Sequence, residues 1–98
     1  MIKYSYTVHY TNKFKKSLKK IIKQGKDIDK LEPIILKLAN KEELEPKYKN
    51  HKLIDNRYYK DSYECHITPD WLLIYKYNDD ELLLLLMDTG SHSEMFDK

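Results

Sequence analysis

The chain has 98 residues, of which 41% are hydrophobic and 35% are charged, and its formal net charge at pH 7 is +2. This length predicts one domain spanning residues 1–98, and the hydrophobic fraction excludes an intrinsically disordered chain. The single cysteine, Cys65, excludes an intramolecular disulfide bond, and the longest apolar run, residues 82–87, is far shorter than the ~20 residues of a membrane-spanning helix. Because no apolar segment follows Met1, we expect a cytoplasmic protein without a signal peptide or a membrane contact.

The basic residues are unevenly distributed along the chain. Lysines are concentrated in residues 13–30 and 41–60, whereas residues 78–97 contain neither lysine nor arginine. A net charge of +2 does not by itself indicate nucleic-acid binding, but a local concentration of lysines could follow a phosphate backbone. The same lysines could form an ordinary solvated surface, so a nucleic-acid interpretation needs the support of a site.

The first part of the chain predicts a strand followed by two helices. Residues 4–10 are rich in β-branched and aromatic side chains, which is typical of a strand. Thr11 or Asn12 can cap a first helix, whose apolar face is formed by Phe14, Leu18, Ile21 and Ile22. The second helix is predicted to begin near Asp27 or Asp29, where Asp29 and Glu32 approximate a capping box, and its apolar face is formed by Leu31, Ile34, Ile35 and Leu38.

The second part of the chain predicts a sheet. Residues 41–56 are polar and show no sustained periodicity, which favours a functional loop around His51. Three strand-like runs follow, at residues 58–66, 71–77 and 82–87, and the polar turn between the last two predicts a hairpin. The order β-α-α-β-β-β indicates an α+β domain in which a helical hairpin packs on one face of a mainly antiparallel sheet.

Three of the four histidines, His51, His66 and His92, lie in loops or at strand ends, whereas His9 lies within the first predicted strand and receives no role. An imidazole can accept a proton near neutral pH and an imidazolium can donate one. Cleavage of RNA through its own 2′-hydroxyl needs one group of each kind and no metal ion. Converging histidines would therefore suit ribonuclease chemistry.

Three segments of the chain carry a family resemblance. They are Asn50-His51-Lys52-Leu53, the pattern His66-x-x-Pro69-Asp70-Trp71-x-Leu73-x-Tyr75, and Thr89-Gly90-Ser91-His92 followed by Phe96. Together they resemble the YafQ branch of the RelE/ParE toxin superfamily, whose members are small ribosome-dependent mRNA endonucleases. The resemblance extends over nearly the whole chain.

The resemblance implies a RelE-like fold and a toxin of a type II toxin–antitoxin system that inhibits translation by metal-independent cleavage of mRNA, without a cofactor. It also implies a cognate antitoxin, through which the complex would bind DNA, and the ribosome and mRNA as further partners. The positions that match the acid/base set of the family are His51, His66, Asp70 and His92. The positions associated with substrate binding or with support of the site are Trp71, Phe96 and Lys52. Within this set we expect His92 to be the general acid, and His51 or His66 with Asp70 to form the base side.

The chain departs from the family pattern at Asp88. The family usually carries an arginine at this position, four residues before the terminal histidine, where it stabilises charge on the phosphate. A unit charge at about 5 Å and an effective dielectric constant of about 20 contributes about 3 kcal/mol, so reversing its sign matters. Three accounts are open: a lysine supplies the cation from elsewhere (Lys47, Lys49, Lys52 or Lys60), Asp88 keeps His92 protonated, or the site is weak or inactive.

Other classes of function compete with this interpretation. A ParE-like gyrase inhibitor would share the fold but not the histidines, and a catalytically inactive protein of the same fold would act through antitoxin binding alone. A zinc site is a third class, because three histidines and Asp70 are acceptable zinc ligands. The chain contains no Cys-x-x-Cys or His-x-x-x-His pair that would fix such a site.

Overall fold

The computed structural model describes residues 5–54 and 59–96, except for the side chains of His92 and Phe96. Tyr4 and Tyr58, at which two predicted strands begin, lie outside the described residues. In chain order the elements are β1 (Thr7–Tyr10), α1 (Asn12–Lys23), α2 (Leu31–Ala39), β2 (His51–Lys52), β3 (Tyr63–Thr68), β4 (Trp71–Asn78), β5 (Leu83–Gly90) and α3 (His92–Phe96), with single turns of 3₁₀ helix at Ile28–Lys30 and Pro46–Tyr48. No helix in the described ranges is long and apolar enough to cross a membrane.

Helix α1 is capped at its start by Thr11, one of the two residues that the sequence indicated. The Thr11 hydroxyl oxygen accepts from the backbone N–H of Phe14, and it donates 2.7 Å to the Leu86 carbonyl, which attaches the start of the helix to β5. Phe14 and Ile21 are buried against the sheet, as their spacing of seven residues predicts. The helix ends at Lys23, with Gln24 as its C-cap. Gly25 then adopts a φ of 81°, a left-handed conformation that glycine adopts more readily than other residues.

The helical segment that leads into α2 begins at Asp27, one of the two predicted starts, but without the predicted cap. The expected capping box between Asp29 and Glu32 does not form, because the Asp27 carboxylate accepts from the Asp29 N–H and starts a 3₁₀ turn. The α-helix proper follows this turn, with Pro33 in its first turn, where a missing N–H costs little. Its buried residues are Leu31, Ile34, Leu38 and Ala39.

The five strands form one sheet in the order β1-β5-β4-β3-β2. Strand β1 pairs with β5 in parallel, and the other neighbours pair antiparallel. Both helices contribute to the cluster of buried side chains that covers one face of the sheet. The predicted α+β architecture, including the β4–β5 hairpin, is therefore confirmed, with the short elements β2 and α3 in addition.

The register of the sheet aligns chemically active residues of separate strands in one row. Glu64 pairs with His51 on one side and with Ile74 on the other, and Ile74 pairs in turn with Asp88. These four residues form one row across β2, β3, β4 and β5. His66 lies two residues after Glu64, so alternation along the strand puts both on the same face. The next core residue of β3, Cys65, packs on the opposite face among the helices.

Candidate active site

A carboxylate lies between two of the predicted catalytic histidines. Glu64 Oε1 is 3.6 Å from His51 Nε2 and 3.5 Å from His66 Nε2. The Glu64 side chain is only 6% exposed, whereas that of His51 is 52% exposed and that of His66 is 22% exposed. The two imidazoles can therefore reach a ligand, while the carboxylate stays behind them.

The loop before β2 fixes the orientation of His51. The Nδ1 atom of His51 lies 2.8 Å from the Lys49 carbonyl oxygen, which can only accept, so Nδ1 must carry a proton in this contact. In the neutral ring the lone pair is then on Nε2, the atom that faces Glu64. Lys49 has a left-handed φ of 47°, and the Asn50 side chain accepts a hydrogen bond from the Tyr75 hydroxyl of β4. When its ring is neutral, His51 thus presents the unprotonated Nε2 from an anchored loop.

Asp70 lies in the turn between β3 and β4 and contacts neither His51 nor His66 through an ion pair in the described part of the chain. Its carboxylate accepts from Lys26 Nζ at 3.0 Å and from the Thr68 hydroxyl at 3.0 Å. The Lys26 hydrogen bond, followed by that of Thr68, lowers the pKa of Asp70 below its ordinary value. Asp70 is therefore ionised at neutral pH, which excludes it as a general acid in this arrangement.

Trp71 supports the site from the interior of the protein. It is fully buried, and its indole N–H donates 2.8 Å to the Thr89 hydroxyl, which itself donates to the Leu72 carbonyl. These bonds connect the start of β4 to the end of β5, immediately before α3. The buried ring is unsuited to stacking on a nucleotide base, so its contribution is to hold the strand ends together.

The remaining predicted residues are placed only in part. His92 and Phe96 are the first and last residues of α3, and their side chains lie outside the description. Lys52 follows His51 in β2 and pairs with Tyr63, so alternation directs it to the opposite face of the sheet. Lys52 is therefore not brought to the histidines.

Asp88 is buried in a hydrogen-bonded network. Its carboxylate accepts from the Ser17 hydroxyl at 2.5 Å, the Tyr59 hydroxyl at 2.6 Å and the Thr89 backbone N–H at 2.9 Å. Burial, followed by the bond to Asp88, raises the pKa of Tyr59, which keeps its proton available as a donor. The Lys13 ammonium lies 3.7 Å from the carboxylate. The residue that departs from the family pattern is thus enclosed by neutral donors and accompanied by a cation.

Two further features bear on ligands. A cleft of about 620 Å³ extends from His66 along the end of β3 to Tyr48, with Lys30 and Lys47 on its walls. In the described part of the chain, no group of three His, Cys, Asp or Glu side chains has an arrangement that could hold a metal ion. Burial raises the pKa of the Cys65 thiol to about 12, so this side chain stays protonated and is unsuited to nucleophilic catalysis.

Glu64 is the site residue that sequence reasoning missed. A signal was present, because Glu64 and His66 are two residues apart in a predicted strand and must share a face. The proximity of His51 was not available from the sequence, since β2 is only two residues long and lies in a stretch without periodicity.

Comparisons with known proteins agree on one family. The family model described as "Bacterial toxin of type II toxin-antitoxin system, YafQ" matches residues 6–97. The mRNA interferase toxin YafQ of Escherichia coli (strain B / BL21-DE3) is 36% identical over 90 residues, which cover 91% of this chain and 94% of that protein. Among solved structures, a metal-bound toxin from Helicobacter pylori has a TM-score of 0.86 and 42% identity, with 93% of this chain and 99% of that chain covered. The DinJ–YafQ complex of E. coli has a TM-score of 0.81 and 35% identity, with 93% and 98% covered.

Proposed function

This chain belongs to the YafQ family of toxins from bacterial type II toxin–antitoxin systems, and we propose that it is an mRNA interferase that inhibits translation by cutting mRNA on the ribosome in the cytoplasm. The observation that carries this proposal is the His51–Glu64–His66 cluster, which offers two accessible imidazoles around one shielded carboxylate. The E. coli relatives are themselves described as mRNA interferase toxins.

In the proposed reaction His51 accepts the proton of the 2′-hydroxyl through Nε2. The hydroxyl oxygen then attacks the adjacent phosphorus, and the bond from phosphorus to the 5′-oxygen breaks. Glu64 stabilises the imidazolium that forms, by a few kcal/mol at a separation near 3.6 Å and an effective dielectric constant of about 20. His66 contacts the same carboxylate and can hold a phosphate oxygen or share the proton.

The leaving 5′-oxygen needs a proton, and we assign its donation to His92. This assignment rests on the family position of His92 at the start of α3, directly after β5. Trp71 supports this end of the site, a role that the family resemblance also implies for Phe96, and Asp70 fixes the β3–β4 turn through Lys26 and Thr68. The chemistry needs no metal ion and no cofactor.

The proposed partners are a cognate antitoxin, the ribosome and mRNA. A DinJ–YafQ toxin–antitoxin complex is among the similar structures, and its toxin chain aligns with 93% of this chain. We propose that the antitoxin binds the basic surface that includes α1, and that the resulting complex binds DNA through the antitoxin. Removal of the antitoxin would expose that surface to ribosomal RNA.

The proposal is tested by inducing the chain in bacteria and mapping transcript ends. New ends inside translated codons are expected, together with growth arrest that a co-expressed antitoxin relieves. Arrest of translation with all transcripts intact would contradict the nuclease function. A fall in DNA supercoiling activity under those conditions would instead support a gyrase inhibitor, and unaffected growth would support an inactive protein that only binds its antitoxin.

A further inference from the structure

Lys13 is the cation of the Asp88 network and is held in one place by its neighbours. Its ammonium donates 3.0 Å to the Tyr59 hydroxyl oxygen, lies 3.7 Å from Asp88 Oδ2, and is 5.0 Å from the centre of the Tyr59 ring. Tyr59 in turn donates to Asp88, so hydroxyl, carboxylate and ammonium form one chain of contacts. A lysine side chain held in this way loses less conformational freedom when it binds a ligand.

The ammonium of Lys13 can still donate to a further ligand while it contacts this network. Asp88 receives three hydrogen bonds from Ser17, Tyr59 and the Thr89 N–H, so the burial of its carboxylate does not depend on a bond from Lys13. An ammonium has three donors, and the described hydrogen bond to Tyr59 occupies one of them. The Lys13 side chain is 61% exposed, against 5% for Asp88. The network therefore anchors a cation that still faces solvent.

The Lys13 ammonium lies beside Asp88, in the same part of the sheet as the candidate active site. Asp88 is two pairing steps from Glu64 through Ile74, which at a strand spacing of about 4.8 Å places their backbones about 10 Å apart. Lys13 also lines a small cleft of about 70 Å³ between α1 and the Glu94–Met95 part of α3, the helix that begins at His92. Ile74 in this row is fully buried, so RNA bound at the histidine cluster would reach Lys13 at the protein surface beside β5 and α3, where the Lys13 side chain is exposed.

We propose that Lys13, positioned by Tyr59 and Asp88, binds an RNA phosphate beside the His51–Glu64–His66 cluster and stabilises its charge during cleavage. This inference rests on the proposed ribonuclease function. It identifies the cation of the site as a residue of α1, brought to β5 by the carboxylate of Asp88. Asp88 is then a positioning residue that acts through Lys13.

The test compares four chains in single-turnover cleavage on ribosomes that carry mRNA: the parent, Lys13→Met, Lys13→Arg and Lys37→Met. Lys37 is the matched control, because it is a partly exposed helical lysine of α2, outside the two lysine-rich segments. At saturating protein we expect Lys13→Met to cut about 10²-fold more slowly, as for the loss of one preorganised electrostatic donor. Lys13→Arg should stay within about tenfold of the parent, since it keeps the charge, and Lys37→Met should keep the parental saturated rate. A parental saturated rate for Lys13→Met would overturn the inference.

A second measurement separates this inference from the proposed function. Binding of a short single-stranded RNA with methylated 2′-hydroxyls is measured against salt concentration for the same four chains. Loss of one phosphate contact should reduce the slope of log K against log salt by about 0.7 in Lys13→Met, with the parental slope kept in Lys13→Arg. If the parent cuts no RNA, the proposed function fails, and an unchanged slope in Lys13→Met would then reject the phosphate contact as well.

Discussion

Two buried carboxylates occupy the same row of the sheet, and their surroundings differ. Glu64 has an ionisable imidazole on each side, both partly open to solvent. Asp88 accepts hydrogen bonds from two hydroxyls and a backbone N–H, and the Lys13 ammonium lies further from its carboxylate than these three donors do. The charge around Glu64 changes whenever a histidine gains or loses a proton, whereas the charge around Asp88 is fixed. One carboxylate is therefore placed to serve proton transfer, and the other is placed to hold the structure.

The largest expected effect is a loss of cleavage without a loss of stability, on replacement of His92. We expect His92→Ala to lose 10²- to 10⁴-fold in cleavage, the usual cost of removing a general acid, or about 3 to 5 kcal/mol. Cleavage on programmed ribosomes measures this loss, and urea unfolding should show little change. A variant that cuts at the parental rate would remove the acid assignment.

The next largest effect is expected at Asp88, and it is a loss of stability rather than a loss of cleavage. Replacing it by alanine leaves the Ser17 and Tyr59 hydroxyls without their charged acceptor, which should cost about 3 kcal/mol of unfolding free energy. Asp88→Arg should destabilise the fold at least as much, since a guanidinium would face two donors and Lys13. Urea unfolding is the measurement. Full stability in both variants would show that Asp88 is no structural anchor.

Glu64→Gln sharpens the comparison because it keeps the shape of the side chain and removes its charge. We expect cleavage to fall about tenfold, or about 1.4 kcal/mol in the barrier, because the imidazolium formed in the reaction loses its counter-charge. The control is Glu43→Gln, a change at an exposed glutamate. Equal cleavage by both variants, with unfolding curves like the parent, would contradict the catalytic role of Glu64.

The smallest effect is expected at Asp70 and is visible as a pH dependence. Its pKa is lower in the folded chain than the value of about 3.9 in an unfolded one, so its ion pair with Lys26 stabilises the fold above that pH. The contribution is lost as the pH falls through the folded pKa. The parent should therefore be slightly more stable than Asp70→Asn at pH 7, and this difference should shrink as the pH falls below about 3.9. A difference that grows on acidification would contradict this sign.

Local signals account for the part of the fold that the sequence predicted. Thr11, the apolar spacing of Phe14 and Ile21 in α1 and the polar turn after β4 each act within a few residues, and all three were confirmed. Ile22, which was expected on the same apolar face, is 53% exposed. Helix α3 was missed although its signal was present. The Ser91 hydroxyl accepts from the Glu94 N–H, and the Glu94 carboxylate accepts from the Ser91 N–H, which is a reciprocal capping box.

The candidate site was less predictable because its contacts join distant parts of the chain. The family resemblance supplied His51 and His66 but not the carboxylate between them. The Lys13–Asp88 pair links residues 75 positions apart, and neither position shows a local pattern that would reveal the other. Such contacts follow from the strand order and the path of α1, which periodicity does not determine.

The parallel pairing of β1 with β5 also governs when the toxin becomes active during its synthesis. Residues 7–10 gain their sheet partner only after residues 83–86 have been synthesised, and Lys13 can pair with Asp88 only after Asp88 has been added. Long-range pairing of this kind folds slowly, and translation adds only about 5 to 20 residues per second. A nascent chain therefore carries its first helix and two of its proposed catalytic histidines, His51 and His66, well before the row from His51 to Asp88 is complete. The order of the strands delays the appearance of a working toxin until the last strand has been made, which gives an antitoxin time to meet an unfinished partner.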